Sequence, residues 1–161
     1  MAVRKIVTDS SADTLVLDGV DFASAPLIIR TDEKHYVDDA ALDVAGMAED
    51  LLHYSGKSST ACPGVGEWLE AFGDADEVFC VTITSGLSGS YNSACLAKQI
   101  YESENAGKRV HVFDTLSAGN EITLIIEKIE ECIRFVSQFD YAMIAKNTVE
   151  SLSDHFEKSI K

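Results

Sequence analysis

Short apolar runs alternate with longer amphipathic segments along the chain. Residues 3–8 form a β-branched run that predicts a first strand. Residues 78–84 are apolar at nearly every position, which predicts a central strand covered on both faces. Residues 109–113 repeat the strand pattern. Apolar residues spaced three or four apart predict helices over residues 42–54, 64–72, 91–103 and 121–135.

The segment between the first strand and the second predicted helix mixes several signals. Residues 25–30 predict a second strand, with Pro26 at its start, where a missing N–H does little harm. Residues 34–37 predict a short edge strand. Residues 58–64 are mostly small and hydroxyl-bearing, which predicts a loop, and Pro63 suits the first turn of the helix that follows.

The order strand, loop, helix recurs along most of the chain and predicts an α/β fold. We expect a mainly parallel β-sheet with helices on both faces, in three layers, α/β/α. The 161 residues, 46% of them apolar, fit one domain. In the tail, residues 141–145 predict a last strand. Residues 147–150 predict a capping box for a helix ending near Ile160.

The charge of the chain excludes some classes of partner. With 27 acidic and 13 basic residues the formal net charge is −14, which opposes binding to nucleic acid and to anionic bilayers. Such a charge either keeps the protein soluble or allows it to dock on a basic partner surface. No stretch approaches the roughly 20 apolar residues that span a membrane.

Two further features predict a cytoplasmic location. The first residues enter a strand pattern directly, without the charged, apolar and cleavage regions of a signal peptide. The four cysteines (Cys62, Cys80, Cys95 and Cys132) are far apart and form no Cys-x-x-Cys pair. We therefore expect no disulfide framework and no metal site.

Three predicted strands end in clusters of small hydroxyl residues, and a helix follows each cluster. The clusters are residues 9–11, 85–90 and 114–119, and the loop that contains Thr60 also enters a helix. The carboxyl ends of parallel strands share one edge of the sheet, where ligands bind in open α/β folds. Free N–H groups and helix N-termini favour an anion there. The alternative for any one cluster is that its serine or threonine only caps the helix.

The composition of these clusters favours a carboxylate over a phosphate. The loop at residues 85–90 lacks the lysine of a phosphate-binding Gly-x-x-x-x-Gly-Lys loop, and no Gly-x-Gly-x-x-Gly occurs. Neutral hydroxyls and amides, without arginine or lysine, suit a single carboxyl group better than a polyphosphate.

A serine hydrolase is an alternative, because Gly86-Leu87-Ser88-Gly89-Ser90 resembles the nucleophile elbow Gly-x-Ser-x-Gly. Ser90, however, replaces the last glycine of that motif. The elbow also needs a later histidine that follows an acid. The four histidines fit poorly, because two precede the serine, one lies in a strand and one lies on a polar terminal helix: His35, His53, His111 and His155.

With these residues identified, the chain resembles the DegV family, the fatty-acid-binding subunits of bacterial fatty acid kinase. The resemblance covers residues 1–133 and rests on five motifs in the family's order. The most specific is Thr84-Ser85-Gly86-Leu87-Ser88-Gly89-Ser90-Tyr91-Asn92-Ser93-Ala94. The others are Val7-Thr8-Asp9-Ser10-Ser11-Ala12-Asp13, Ala25-Pro26-Leu27, Ser59-Thr60-Ala61-Cys62-Pro63-Gly64 and Asp114-Thr115-Leu116-Ser117-Ala118-Gly119.

The resemblance implies a lipid-binding protein without catalytic residues, metal or cofactor. It implies that Thr60 and Ser88 bind the carboxylate of a long-chain fatty acid, and that a separate ATP-dependent kinase subunit converts this carboxylate to an acyl phosphate. The implied supporting residues lie on the three loops that follow predicted strands: Asp9, Ser10, Ser85, Gly86, Gly89, Asp114 and Ser117.

The chain departs from the family pattern in two ways. Ala61 and Cys62 stand where the family usually has serine and glutamine before the proline, which removes two polar side chains. No second lobe can be placed, and residues 134–161, a predicted strand–helix tail on the same domain, do not match the family. An isolated lobe should bind lipid weakly. The alternative function is a scaffold fragment that keeps only a docking surface for a kinase subunit.

Overall fold

A computed structural model describes residues 2–135, 143–146 and 148. The strands are β1 Arg4–Asp9, β2 Asp21–Ala25, β3 Ile28–Arg30, β4 His35–Val37, β5 Ser59–Ala61, β6 Glu77–Thr82 and β7 Arg109–Asp114. The α-helices are α1 Val44–His53, α2 Val65–Phe72, α3 Ser90–Glu104 and α4 Asn120–Phe135. A short 3-10 helix, Ser10–Ala12, directly follows β1.

Four parallel strands form the main sheet in the order β2-β1-β6-β7. The two central strands are the most buried; β6 exposes only its first residue in part. Their register pairs Val7 with Cys80 and Ile6 with Phe79. Each central strand is covered on both faces, which explains the nearly continuous apolar sequence of β6.

Two hydrophobic clusters, one on each face of the sheet, complete a three-layer α/β/α domain. On one face α4 contributes isoleucines at helical spacing: Ile122, Ile125, Ile126 and Ile129. On the other face α2 and α3 contribute Trp68, Phe72, Ala94, Ala97 and Tyr101. Tyr101 Oη donates a 2.6 Å hydrogen bond to the Ala75 carbonyl, which satisfies the polar end of this buried ring. The predicted fold class is confirmed.

A second sheet is antiparallel, with β3 between β4 and β5. The predicted strand over residues 25–30 is wrong as one element. Pro26 has no N–H to give to a ladder and, with Leu27, separates β2 in the main sheet from β3 in the second. The predicted loop at residues 58–64 is also wrong in part, because Thr60 pairs with Ile29 inside β5. The predicted edge strand is confirmed as β4.

The other predicted boundaries lie within two residues of the observed ones. Strand β2 over Asp21–Ala25 was not predicted, because its sequence carries only one large apolar residue. The predicted strand at residues 141–145 is wrong for residues 143–145, which are helical. The rest of that segment lies outside the described residues. Of the predicted capping box, only Thr148 lies within the described residues. It is a buried helical residue whose Oγ1 donates to the Ile144 carbonyl at 2.9 Å.

Within the described residues, no helix is both long enough and apolar enough to cross a bilayer.

Candidate functional site

The loops after β1, β6 and β7 meet at one edge of the main sheet. We call this set the ligand edge: residues 9–13, 83–90 and 114–121. Strand β1 is the point at which the strand order changes direction, since β2 lies on one side of it and β6 on the other. Crevices for ligands form at such points, beyond the carboxyl ends of the strands.

Asp9, the last residue of β1, is fully buried and joins two of these loops. Its Oδ2 accepts hydrogen bonds from the Ile83 N–H at 3.0 Å and from the Ser90 hydroxyl at 2.5 Å. Its Oδ1 accepts from the Ser11 hydroxyl. A buried carboxylate is stable only when donors satisfy it, and this one has three. Asp9 therefore fixes the start of α3 relative to the end of β1.

Ser88 lies just before α3 and is half-buried. Its backbone N–H donates to the Thr84 carbonyl at 3.2 Å, and its Oγ accepts from the Ser90 N–H, also at 3.2 Å. A hydroxyl has one proton and two lone pairs. Because Ser90 N–H uses a lone pair, the Ser88 proton remains available for an acceptor outside the loop.

Asp114, at the end of β7, ties the β6–α3 loop to the β7–α4 loop. Its Oδ1 accepts from the backbone N–H groups of Ser85 and Leu116 at 3.0 and 3.2 Å, and its Oδ2 accepts from the Ser85 hydroxyl at 2.5 Å. Partial burial acts to raise the pKa of Asp114. The hydrogen bonds from Ser85 and Leu116 outweigh burial, so the pKa lies below its ordinary value.

Leu116 has a left-handed backbone, with φ of 54°, although it is not a glycine. Hydrogen bonds on both sides hold it: Asp114 accepts from its N–H, Ser117 N–H donates to Thr115 Oγ1 at 3.2 Å, and Thr84 N–H donates to the Ser117 carbonyl at 3.0 Å. Ser117 Oγ donates to Glu121 in the first turn of α4. Ser117 is thus part of the loop's internal bonding.

Ser10 connects the ligand edge to the second sheet. Its hydroxyl donates to Asp38 Oδ2 at 2.6 Å and accepts from the Leu27 N–H at 3.0 Å. A pocket of about 160 Å³ lies beside it, lined also by Ser24, whose buried hydroxyl has no hydrogen-bond partner among the described residues.

Thr60 is exposed in β5, and Cys62 brings its segment to the ligand edge. A Cβ added at Gly89 would lie 3.3 Å from Cys62 Sγ, so the thiol packs against the backbone next to Ser88. In the described part of the chain no hydrogen bond joins Thr60 to Ser88. Gly86 donates its N–H to Thr84 Oγ1 at 3.2 Å, within the same turn.

The structure thus brings together Asp9, Ser85, Ser88, Asp114 and Ser117. Two residues that take part were not predicted from the sequence: Ser90, the partner of Asp9 and Ser88, and Cys62, the contact of Gly89. Ser90 was visible only as the sixth residue of a serine- and glycine-rich run. Nothing in that run signals a partner as far along the chain as Asp9.

Among the described residues, the histidines and cysteines do not add chemistry to this edge; His155 lies outside the described residues. His35 lies in β4, His53 in α1 and His111 in β7, where burial lowers its pKa. In the part of the chain that the structure describes, no histidine shares a hydrogen bond with the Ser88 hydroxyl, and no group of three or more metal-ligating side chains is placed to hold a metal ion. Burial, followed by the charge of Asp9, raises the pKa of the Cys80 thiol.

Comparison with known proteins identifies relatives over nearly the whole chain. The model of the DegV family, described as one of uncharacterised proteins, matches residues 4–151, so the expectation that residues 134–161 do not match the family is wrong for residues 134–151. A DegV domain-containing protein of Streptococcus pneumoniae is 38% identical over 159 residues, covering 96% of this chain and 54% of the relative. One of Streptococcus gordonii is 40% identical over 141 residues, covering 84% and 50%. The chain therefore spans about half the length of these relatives.

Two solved structures share both fold and sequence with the chain. A DegV family protein from Eubacterium eligens, loaded with heptadecanoic acid, has a TM-score of 0.89 at 39% identity. The aligned part covers 93% of this chain and 54% of that protein. The Streptococcus pneumoniae fatty acid kinase B3 protein, loaded with linoleic acid, has a TM-score of 0.89 at 36% identity, covering 94% and 54%.

Proposed function

Because this chain belongs to the DegV family, we propose that it binds a long-chain fatty acid through the carboxylate, with the hydroxyls of Thr60 and Ser88 as donors. The relatives loaded with heptadecanoic and linoleic acid support this class of ligand. Asp9, Ser10 and Ser85 support the loops in this proposal, and Asp114 organises the loop after β7.

The observation that carries the proposal is the hydrogen bonding of Ser88. Its Oγ accepts from Ser90 N–H, so its one proton is free for a carboxylate oxygen. Ser90 is in turn held by the buried Asp9, which fixes the position of the donor. The contact between Cys62 and Gly89 supports Thr60 as the second donor, because it places the β5–α2 segment beside the Ser88 loop.

The donors of the ligand edge favour one carboxylate over a polyphosphate. Residues 9–13, 83–90 and 114–121 include four acidic residues and no lysine or arginine, so only neutral hydroxyls and N–H groups are offered to an anion. Neutral donors at a helix N-terminus stabilise a single negative charge without a counter-ion. A polyphosphate would lack its usual cationic partners here.

The chain supplies binding, and a partner supplies the chemistry. We propose that the bound carboxylate is presented to an ATP-dependent kinase subunit, whose product is an acyl phosphate. The fatty acid kinase B3 relative supports this assignment. The arrangement around Ser88 supports a non-catalytic role, because a serine nucleophile needs an adjacent base and the described residues place no histidine on its hydroxyl.

The carboxylate and the acyl tail of a fatty acid contribute unequally to the free energy of binding. Each buried CH₂ contributes about 0.8 kcal/mol, so most of the affinity for a long acyl chain comes from the walls around it. A pair of hydroxyl donors contributes roughly 1–3 kcal/mol. Losing Thr60 and Ser88 should therefore weaken binding by roughly ten- to a hundredfold rather than abolish it.

The test compares heptadecanoic acid with its methyl ester, which keeps the tail but loses the charge. We expect the chain to prefer the acid, and the variant Thr60→Ala/Ser88→Ala to lose that preference while binding the ester unchanged. Titration calorimetry measures both. Ser103→Ala, an exposed serine at the far end of α3, serves as the control and should keep the preference. An equal preference in the double variant would contradict the roles of both hydroxyls.

A further inference from the structure

Strand β4 and helix α1 enclose a groove of about 480 Å³ on the second sheet. We call it the β4–α1 groove; its lining includes Glu33, Lys34, Tyr36, Glu49, Asp50 and Tyr54. None of these residues belongs to the ligand edge. The volume falls within the range of pockets that hold small molecules or side chains.

Helix α1 carries apolar side chains that stay largely exposed in the described part of the chain, although Met47 and Leu51 are half-buried. None of its ten residues is buried, although its sequence is amphipathic. Leu52 is 82% exposed. It lies one turn along α1 from Glu49 and next to His53, and both of those residues line the groove. Amphipathic helices normally bury their apolar face, and this one therefore presents a contact surface.

The charge around the groove is negative and largely uncompensated. Residues 31–55 include seven acidic residues and one lysine. That lysine, Lys34, is already paired with Asp50 at 2.6 Å, and Tyr36 donates to the same carboxylate at 2.8 Å. Among the described residues, the carboxylates of Glu33 and Glu49 form no salt bridge, although the charge of Glu33 also acts on Lys34.

Two tyrosines add a second attraction for a cation. Tyr36 and Tyr54 both line the groove. Tyr54 Oη donates to Asp32 Oδ2 at 3.0 Å, and Tyr36 Oη is bonded to Asp50, so both rings are held in place by their hydroxyls. The faces of such rings attract ammonium and guanidinium groups.

We propose that the β4–α1 groove binds a basic segment of another protein. A lysine or arginine side chain enters between the two tyrosines toward Glu33 and Glu49, and an apolar residue of the same segment packs on Leu52. Charge complementarity selects this occupant. A second copy of the chain would bring its own charge of −14 to an acidic surface, and anionic membranes are repelled for the same reason.

The test uses the whole chain and two fluorescent helical peptides of equal length, one of leucine and lysine, the other of leucine and glutamate. Fluorescence polarisation measures binding at two salt concentrations. We expect the lysine peptide to bind, with affinity that falls as salt rises, and the glutamate peptide not to bind. Equal binding of both peptides, or none of either, would overturn the proposal.

A matched pair of variants separates the groove from general attraction to an acidic protein. Glu33→Gln/Glu49→Gln removes two charges from the groove. Glu67→Gln/Glu70→Gln removes two exposed charges from α2. The groove variant should bind the lysine peptide roughly tenfold more weakly and the α2 variant less than about twofold, with unchanged circular dichroism. Equal losses would show non-specific attraction and refute the assignment.

Discussion

The ligand edge and the second sheet with α1, which we together call the second unit, are built in opposite ways. At the ligand edge, buried or half-buried side chains bond to backbone groups of other loops, as Asp9 does with Ile83 and Asp114 with Ser85. In the second unit the corresponding contacts are between exposed side chains, such as Lys34 with Asp50. Buried hydrogen bonds fix geometry, whereas exposed ion pairs are screened and contribute little.

This difference fits two kinds of recognition. Recognition of a ligand's carboxylate needs hydrogen-bond donors in fixed positions, and the hydrogen bonds between the loops of the ligand edge hold donors in this way. A basic protein segment needs charge and accessible apolar surface more than fixed positions, and a lightly packed helix provides those.

The largest expected effect contrasts Asp9 with Asp50. Asp9→Ala leaves the buried Ser90 hydroxyl and the partly buried Ile83 N–H without an acceptor, so we expect the free energy of unfolding to fall by roughly 3 kcal/mol. Asp50→Ala breaks an exposed pair and should cost less than about 1 kcal/mol. Urea denaturation measures both. Similar losses in the two variants would mean that the two regions do not differ as described.

Asp9→Asn distinguishes the loss of charge from the loss of shape. Asparagine keeps one acceptor oxygen but turns an NH₂ group toward hydroxyl donors. Its stability should fall between those of the wild type and Asp9→Ala.

The same contrast explains what was predictable from the sequence. The main sheet and its helices follow from apolar periodicity, which decides which faces are buried, and the runs at residues 78–84 and 121–135 show it most clearly. The second sheet follows from no such pattern. Strands of three residues are too short to alternate, and β5 consists of the small polar residues expected of a loop.

The candidate site was predictable as a set of loops but not as a network. Parallel strands bring their carboxyl ends together, so the hydroxyl clusters after β1, β6 and β7 were expected at one edge. Which oxygen accepts from which donor depends on three-dimensional packing. The bond from Ser90 to Asp9 spans 81 residues and has no local signal. The roles of Thr60 and Ser88 in binding a carboxylate stay predictions.

A second contrast concerns backbone strain. In the described part of the chain, the two non-glycine residues with positive φ are Asp13 and Leu116, and both belong to the ligand edge. A left-handed conformation costs a residue with a Cβ roughly 1–2 kcal/mol, and such positions cluster at functional sites. The second unit has no such position.

Replacing Leu116 by glycine should relieve this strain. We expect Leu116→Gly to raise the free energy of unfolding by about 0.5–1 kcal/mol, the relief exceeding the entropy that glycine adds to the unfolded chain. Leu87→Gly is the control, because Leu87 is as exposed (73% against 72%) but has no positive φ, and it should destabilise. Thermal unfolding of both variants measures the sign. A loss of stability in Leu116→Gly would show that the leucine side chain, not the backbone, dominates there.

The smallest expected effect is the response of two carboxyl pKa values, one in each region, to salt. Hydrogen bonds from Lys34 and then Tyr36 lower the pKa of Asp50. The pKa of Asp114 is lowered by Ser85 and Leu116, which carry no charge, against the opposing effect of burial. A carboxyl with a depressed folded-state pKa contributes stability above its unfolded pKa of about 4 and loses it as the pH falls through the folded value.

Salt screens a charged partner much more than a hydroxyl or an amide. Raising NaCl from about 0.1 to about 1 M shortens the Debye length from about 10 to about 3 Å. In carboxyl-detected NMR titrations we therefore expect the pKa of Asp50 to rise toward its ordinary value over this range. The pKa of Asp114 should stay depressed, since its donors are neutral and fixed by the loop. Equal salt responses would mean that Asp114 also depends on long-range charge. The ligand edge would then share the electrostatics of the second unit instead of contrasting with it.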